Sequence, residues 1–166
     1  MDDFEKFYKA AIRYLSFRPR SEKELRDYLK RKTENLKPKI DESIIKRIID
    51  SLVRDHFLND EEFARMWIRE RTLIKPKAIR VIKMELKQKG ISREIIDSAM
   101  NNDEGLMIND LANAVQLAEK KLRTIHDQTD KYKVKEKLGR YLAGKGFDWD
   151  TIKAALASLE LSAKRD

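Results

Sequence analysis

Arginines and lysines spaced three or four residues apart are the residues of this sequence best placed to do chemistry, and that chemistry is the binding of a polyanion. Residues 65–93 carry ten of them (Arg65, Arg69, Arg71, Lys75, Lys77, Arg80, Lys83, Lys87, Lys89 and Arg93) against only Glu70 and Glu85. In that stretch Lys77, Arg80, Lys83 (or Met84) and Lys87 fall on one face of a helix, opposite Ile79, Ile82 and Leu86. Arg20, Lys23, Arg26 (or Asp27) and Lys30 repeat the ridge upstream, and Lys133, Lys137 and Arg140 repeat part of it downstream. A charged helical face is ordinarily just solvated. Here acids are nearly absent from the central stretch, although mixed pairs four residues apart would stabilise a helix better. That absence favours a binding face.

Other chemistries have little to work with. The 166 residues include no cysteine, which removes thiolate metal sites and cysteine nucleophiles, and only two histidines, His56 and His126, without metal-ligand spacing. Carboxylates are plentiful, but no pair sits in an apolar context that would split their pKa values for acid–base work. There is no glycine-rich phosphate loop and no nucleophile motif. The expectation is a protein that is not an enzyme and holds no metal and no cofactor. No apolar run approaches the roughly 20 residues that span a bilayer, and the acidic start Met1-Asp2-Asp3-Phe4-Glu5 has no signal-peptide pattern. These features, with a net charge of +8, predict a cytoplasmic protein without membrane association. No apolar seam is evident, so a monomer is expected.

The elements that position the basic ridges form an internal repeat. Anchored on Leu29, Leu86 and Leu142, three stretches superpose: Leu25, Ile82 and Leu138 coincide four residues upstream, and Lys32, Lys89 and Lys145 three residues downstream. Pro19 and Pro76 share a slot that Tyr132 takes in the third copy, and Gly90 aligns with Gly146. The first copy carries extra residues in a polar loop at 33–39. Each copy is preceded and followed by an amphipathic stretch, so each unit reads as three short helices. The predicted architecture is all-α, with three tandem three-helix repeats in an elongated, curved array: residues 4–55, residues 57–102 (the most basic) and residues 107–161. Scarce glycine (5) and proline (3) disfavour an all-β fold. The segment 101–109 is the most polar link.

Helix punctuation agrees. Ser21 with Glu24 has capping-box spacing, and Asn59 with Glu62 resembles it. Ser92 and Asp148 suit N-caps, and Gly90 and Gly146 suit the left-handed position that ends a helix. Trp67 is spaced as a core residue, Trp149 as one packing a unit boundary, and Met84, Met100 and Met107 as gap-fillers. Tyr14, Phe17, Tyr28 and Tyr141 have the chemistry to stack bases, although Leu25 and Leu29 beside Tyr28 favour core or half-core placement.

Three motifs stand in register: Arg18-x-x-Ser21-x-x-Glu24-Leu25-x-x-Tyr28-Leu29, then Phe57-Leu58-Asn59-Asp60-Glu61-Glu62-Phe63-Ala64, then Arg71 and Lys75 ahead of Glu85-Leu86-Lys87-Gln88-Lys89-Gly90-Ile91. Together they resemble the RecX family of regulators of the RecA recombinase. Two departures are Pro76, where the family often has glycine, and the lysine-bearing loop at 33–39. The resemblance implies three three-helix repeats bound along the groove of a RecA–single-stranded DNA filament. It implies modulation of that filament within DNA repair, homologous recombination and the SOS response: members of the family usually limit extension or promote disassembly, lowering ATP hydrolysis, strand exchange and co-protease activity, and in some bacteria favour recombination instead, so the sequence does not fix the sign. It assigns Arg71 and Lys75 as contact candidates and Glu85, Leu86, Gly90 and Ile91 as structural, joining the repeat positions Ser21, Glu24, Leu25, Leu29, Leu142 and Gly146.

The rival reading is a non-specific basic DNA-binding protein of helix-turn-helix-like units. The third helices open on acidic or apolar residues (Asp41-Glu42, Arg93-Glu94, Asp148-Trp149-Asp150), which suits base reading poorly. Weak, salt-sensitive contact with single-stranded DNA, extending to double-stranded DNA, is expected under either reading.

Overall fold

The computed structural model describes residues 2–34, 41–101 and 109–163, with side chains to residue 160. All regular structure among them is helical: α1 (Asp3–Phe17), α2 (Glu22–Thr33), α3 (Glu42–Arg54), α4 (Asp60–Arg69), a π-helical segment (Glu70–Ile74), α5 (Ile79–Gln88), α6 (Arg93–Asn101), α7 (Asp110–Leu122), α8 (Lys131–Gly144) and α9 (Trp149–Ala163). The anticipated helices are all present. Most of the polar loop at 33–39, the link from residue 102 to residue 108, and Met107 lie outside the described residues.

The local signals work as the sequence predicts. Ser21 and Glu24 form a full capping box on α2. Asn59 Oδ1 accepts from the Glu61 and Glu62 amides (3.0 and 3.1 Å), Ser92 Oγ from Ile95 (3.3 Å) and Asp148 Oδ1 from Thr151 (2.8 Å). Gly90 and Gly146 have φ of 81° and 93°, a left-handed geometry that glycine adopts without a Cβ penalty. The π-helical segment was not foreseen. It closes with the Lys75 amide donating to the Glu70 carbonyl (2.9 Å), and the Lys77 amide then reaches Arg71 O (3.0 Å).

By packing, the chain falls into two compact bodies: Met1–Met66 with Leu86–Asn101, and Trp67–Glu85 with Asn102–Asp166. The first is built on the apolar stripes of α1, α2 and α3, where Phe7, Ala11, Leu25, Leu29, Ile45, Ile48, Ile49, Leu52 and Leu58 form one core. Leu25 and Leu29 are wholly buried, which is worth about 1.5–3 kcal/mol for each such side chain. The second body has its core among Ala78, Ala114, Leu117, Ala118, Leu142, Phe147, Ile152 and Ala155. Alanines on α7 and α9 let those helices approach closely, and the two make the most extensive helix pair of this body.

Two expectations are corrected. Met84 is exposed and fills no gap, because it lies on the solvent side of α5 opposite the buried Ile82 and Leu86. Trp149 is 66% exposed; as the first residue of α9 it points to solvent while Ile152 and Ala155 supply the buried face.

Candidate binding surface

The middle helices are locked in place by a joint that occurs twice. In the first body the Ser21 hydroxyl donates to the carbonyl of Lys89 (2.6 Å) while accepting from the Glu24 amide (3.2 Å). The Glu22 amide at the start of α2 donates to Asp60 Oδ1 (2.9 Å), on the first residue of α4. In the second body the equivalent positions repeat the pattern. The Ala78 amide donates to Lys145 O (3.2 Å), and the Ile79 amide to Asp110 Oδ1 (2.7 Å), on the first residue of α7. Arg80 Nε adds a bond to Gly146 O. In both joints the start of one middle helix meets the glycine turn that ends the next. A Cβ on Gly90 would lie 2.6 Å from Lys23 Cβ, and one on Gly146 would overlap Val81 Cγ2. Free donors at a helix start are thus satisfied from a neighbouring module.

Glu24 is the electrostatic centre of the first joint. Its carboxylate takes Arg18 Nη2 (2.8 Å), Lys89 Nζ (3.0 Å) and the Ser21 amide (3.2 Å). Burial acts to raise its pKa, but the hydrogen bonds from Arg18, Lys89 and Ser21 outweigh it and hold the pKa at about 2. Asp60 moves the other way: burial, with Glu22 and Glu24 nearby, raises its pKa despite the Glu22 amide bond.

Glu85 organises a second cluster. It accepts from Trp67 Nε1 and Arg71 Nε (2.9 Å each) and from Lys77 Nζ. Arg71 lies over the Trp67 ring, its guanidinium carbon 4.3 Å from the centroid, and donates to Glu70 (3.1 Å). Only 14% of the Arg71 side chain and 16% of Glu85 are exposed. Burial tends to raise the Glu85 pKa, but the bonds from Lys77, Arg71 and Trp67 more than offset it and keep the carboxyl ionised. Trp67 is therefore half-buried with a polar partner rather than simply core.

The sequence-predicted binding residues thus separate into two kinds. Arg71, Lys77 and Lys89 are tied to Glu85 or Glu24, and Arg20 is half-buried with its guanidinium 4.2 Å from the Tyr14 ring centroid. Arg26 and Lys83 are half-buried. The solvent ridge drawn through the middle helix is therefore interrupted at Lys77, which reaches back to Glu85, while Arg80 stays exposed with its Nε bonded to Gly146 O, and Lys87 is exposed. Arg65, Arg69 and Lys75 are exposed, Arg65 beside Glu61 (3.4 Å) and Lys75 beside Glu70 (3.7 Å). In the first module Lys23 pairs with Asp27 (2.9 Å) and Lys30 with Glu42 (2.5 Å), both at the surface, where such pairs are weak and open to exchange with another anion. Lys133 stands near Asp130 (3.5 Å) and Arg140 near Glu136 (2.6 Å), both exposed.

Lys137 and Arg140 meet Lys121 around an open basin of about 620 Å³ that also includes His126 and Asp127. Lys121 was not among the expected contacts. It is seven helical residues after Ala114 on α7, and only the tertiary packing of α7 on α8 brings it beside the α8 cations. Of the structural positions, Ser21, Leu25, Leu29, Leu86, Leu142 and Gly146 are buried, and Glu24, Glu85 and Gly90 occupy the joints and clusters described above.

Fold and surface together define a tandem array of three-helix modules with a strongly basic outside and internally matched carboxylates. Models of the first, second and third three-helix domains of RecX match residues 8–52, 59–100 and 109–156. Regulatory protein RecX of Clostridium perfringens (strain 13) is 35% identical over 95% of this chain and 70% of its own length. That of Streptococcus uberis is 30% identical over 94% and 56%. The crystal structure of RecX from Lactobacillus salivarius superposes with a TM-score of 0.70 at 32% identity, covering 96% of this chain and 98% of that one. The chain belongs to the RecX family. It spans 56% to 70% of the length of these two curated relatives and a third.

Proposed function

We propose that this protein regulates the RecA recombinase by binding RecA–single-stranded DNA filaments, inhibiting their extension, ATP hydrolysis, strand exchange and co-protease activity. The observation that carries the reading is family membership across all three modules, joined to relatives named regulatory protein RecX. The surface supports it: basic side chains recur on each module, which suits a partner that repeats along its length and carries bound polyanion. Linked weak contacts gain through effective concentration, so modest affinity at each module suffices. In this reading segments 4–55, 57–102 and 107–161 are the three contacting modules. The exposed Arg65, Arg69, Lys75, Lys87, Lys133, Lys137 and Arg140 make the contacts, and the protein acts as a cytoplasmic monomer without enzymatic activity, metal or cofactor. Among the described residues no helix is long and apolar enough to cross a membrane.

The test adds the purified protein to preformed RecA–single-stranded DNA filaments and follows ATP hydrolysis over a salt series. Inhibition at amounts far below saturation of the DNA is the expected result. Inhibition only at DNA-saturating amounts, abolished by moderate salt, would instead make the protein a non-specific competitor for the strand.

A further inference from the structure

In the first compact body the chain turns twice beside the same cavity. One turn runs from the end of α1 through Phe17, Arg18 and Pro19 into α2, and the other from the end of α3 through His56 and Phe57 into α4. Between them lies a concavity of about 500 Å³ whose lining includes Phe17, Arg18, Arg20, His56, Phe57 and Met66. Phe17 is 77% exposed and Phe57 57% exposed, with Met66 also open to solvent. Neither aromatic contributes to the core beneath, which is complete with Phe7, Leu52 and Leu58. Two exposed phenylalanines on the rim of one cavity cost solubility and return nothing to the fold.

The backbone adds a second observation. His56 has φ of 60°, and is alone among the described non-glycine residues in the left-handed region. Its turn ends α3 with the Phe57 amide donating to Leu52 O (2.9 Å), a geometry that glycine would adopt without penalty. A histidine held there keeps an imidazole at the rim.

The charge around the cavity is positive. Arg18 and Lys89 share the single carboxylate of Glu24, and Arg20 stands beside them over Tyr14. Arg20 lines the cavity, and its Nε is buried with no hydrogen-bond partner among the described residues. Glu62 lines the opposite, α4 side, so an anionic group is directed toward the arginines. An occupant must offer a flat apolar face to Phe17 and Phe57 and an anion or acceptor to Arg18 and Arg20. A nucleotide has both in one unit, because every base has a π-face and a phosphate beside it.

We infer that this cavity is a base-stacking subsite for single-stranded nucleic acid, with Phe17 and Phe57 as the platform and Arg18 and Arg20 facing the phosphate. The inference deepens the proposed function by giving the strand its own contact on the first module. Its test uses naked DNA without RecA, so its failure leaves the filament reading standing.

Binding of a labelled oligothymidylate is compared by fluorescence anisotropy with binding of an abasic strand of equal length, which carries the same charge but no π-faces. Stacking is worth about 1–3 kcal/mol per base, so the wild-type protein is expected to prefer the base-bearing strand by roughly 5-fold or more. The double variant Phe17→Ala/Phe57→Ala is expected to lose that preference while its abasic binding and thermal midpoint stay unchanged. Equal wild-type affinity for both strands, a preference that survives in the variant, or equal loss on both strands would each overturn the proposal. Phe17→Trp supplies an independent reading. Its fluorescence should be quenched by oligothymidylate and not by the abasic strand, whereas quenching by an acidic peptide and not by oligothymidylate would assign the cavity to a protein partner and overturn the subsite.

Discussion

The middle helices of the first two modules and that of the third begin in different ways. α2 and α5 each start seven residues before their anchor leucines, and their first amides are satisfied by Asp60 and Asp110 on the helix that opens the following module. α8 starts a full turn earlier, at Lys131, and caps itself: Asp130 Oδ1 accepts from Tyr132 (3.1 Å) and Lys133 (3.2 Å). The extra turn occupies the slot that Pro19 and Pro76 take in the other copies. α2 adds the Asp60 acceptor to its own Ser21 capping box, and α5 takes Asp110, so each start is coupled to the following module, whereas the start of α8 is capped by the adjacent Asp130.

The largest effects should come from the glycine turns of the joints. Gly146→Ala places a Cβ against Val81 at positive φ and is expected to destabilise by about 2–4 kcal/mol, combining left-handed strain with overpacking. Gly90→Ala, set against Lys23, is expected to lose about 1–3 kcal/mol on the same grounds. Gly144→Ala is the control, since nothing lies within 4 Å of a Cβ there. It should be neutral or stabilise by up to about 1 kcal/mol through helix propensity. Thermal denaturation read by circular dichroism ranks the three, and equal effects at 144 and 146 would break the comparison.

Glu24→Gln should lose about 1–3 kcal/mol, because Arg18 and Lys89 are left without their shared anion. The wild-type joint has a pH signature of known sign. The folded pKa of about 2 lies below the ordinary 4.5. Its stabilisation is therefore fully present above the unfolded value and is lost as pH falls from about 4.5 toward 2. Acid titration of the denaturation midpoint should show a shallower decline in Glu24→Gln than in wild type.

The caps come next. Asp110→Ala and Asp130→Ala should each cost about 1 kcal/mol, but in different places. Hydrogen exchange should accelerate at the start of α5 in the first variant, and at the start of α8 alone in the second. If Asp110→Ala leaves α5 protected, the cap is not shared between modules. The smallest effect belongs to Asp60→Asn. The pKa of Asp60 is raised by burial and by Glu22 and Glu24, so its ionised form weakens the fold progressively as pH rises through the ordinary carboxylate range. The amide keeps the acceptor and removes the charge, and a gain within about 0.5 kcal/mol at neutral pH is expected, as for a mild polar change.

The three-copy pattern was legible because buried positions such as Leu25, Ile82 and Leu138 repeat at one spacing and because local caps involve residues two or three apart. The joints were not. Asp60 and Asp110 read as ordinary residues of a helix's first turn, and their bonds to Glu22 and Ile79 span 38 and 31 positions. The binding surface was legible as charge but not as role. Nothing in spacing separates Arg71, folded over Trp67 and bound to Glu85, from Lys75, which is open to solvent four residues later. The π-helical segment carries no local sequence signal of the kind that glycine or proline gives. Lys121 joins the basin with Lys137 and Arg140 only through packing of separate helices.

The most direct test of the account compares those two kinds of cation in one assay. Charge reversal at the exposed Lys75, Lys87, Lys137 and Arg140 should weaken inhibition of RecA-filament ATP hydrolysis while leaving the thermal midpoint near wild type. Arg71→Gln should lower the midpoint first. An exposed-set variant that is well folded and inhibits as strongly as wild type would contradict the account.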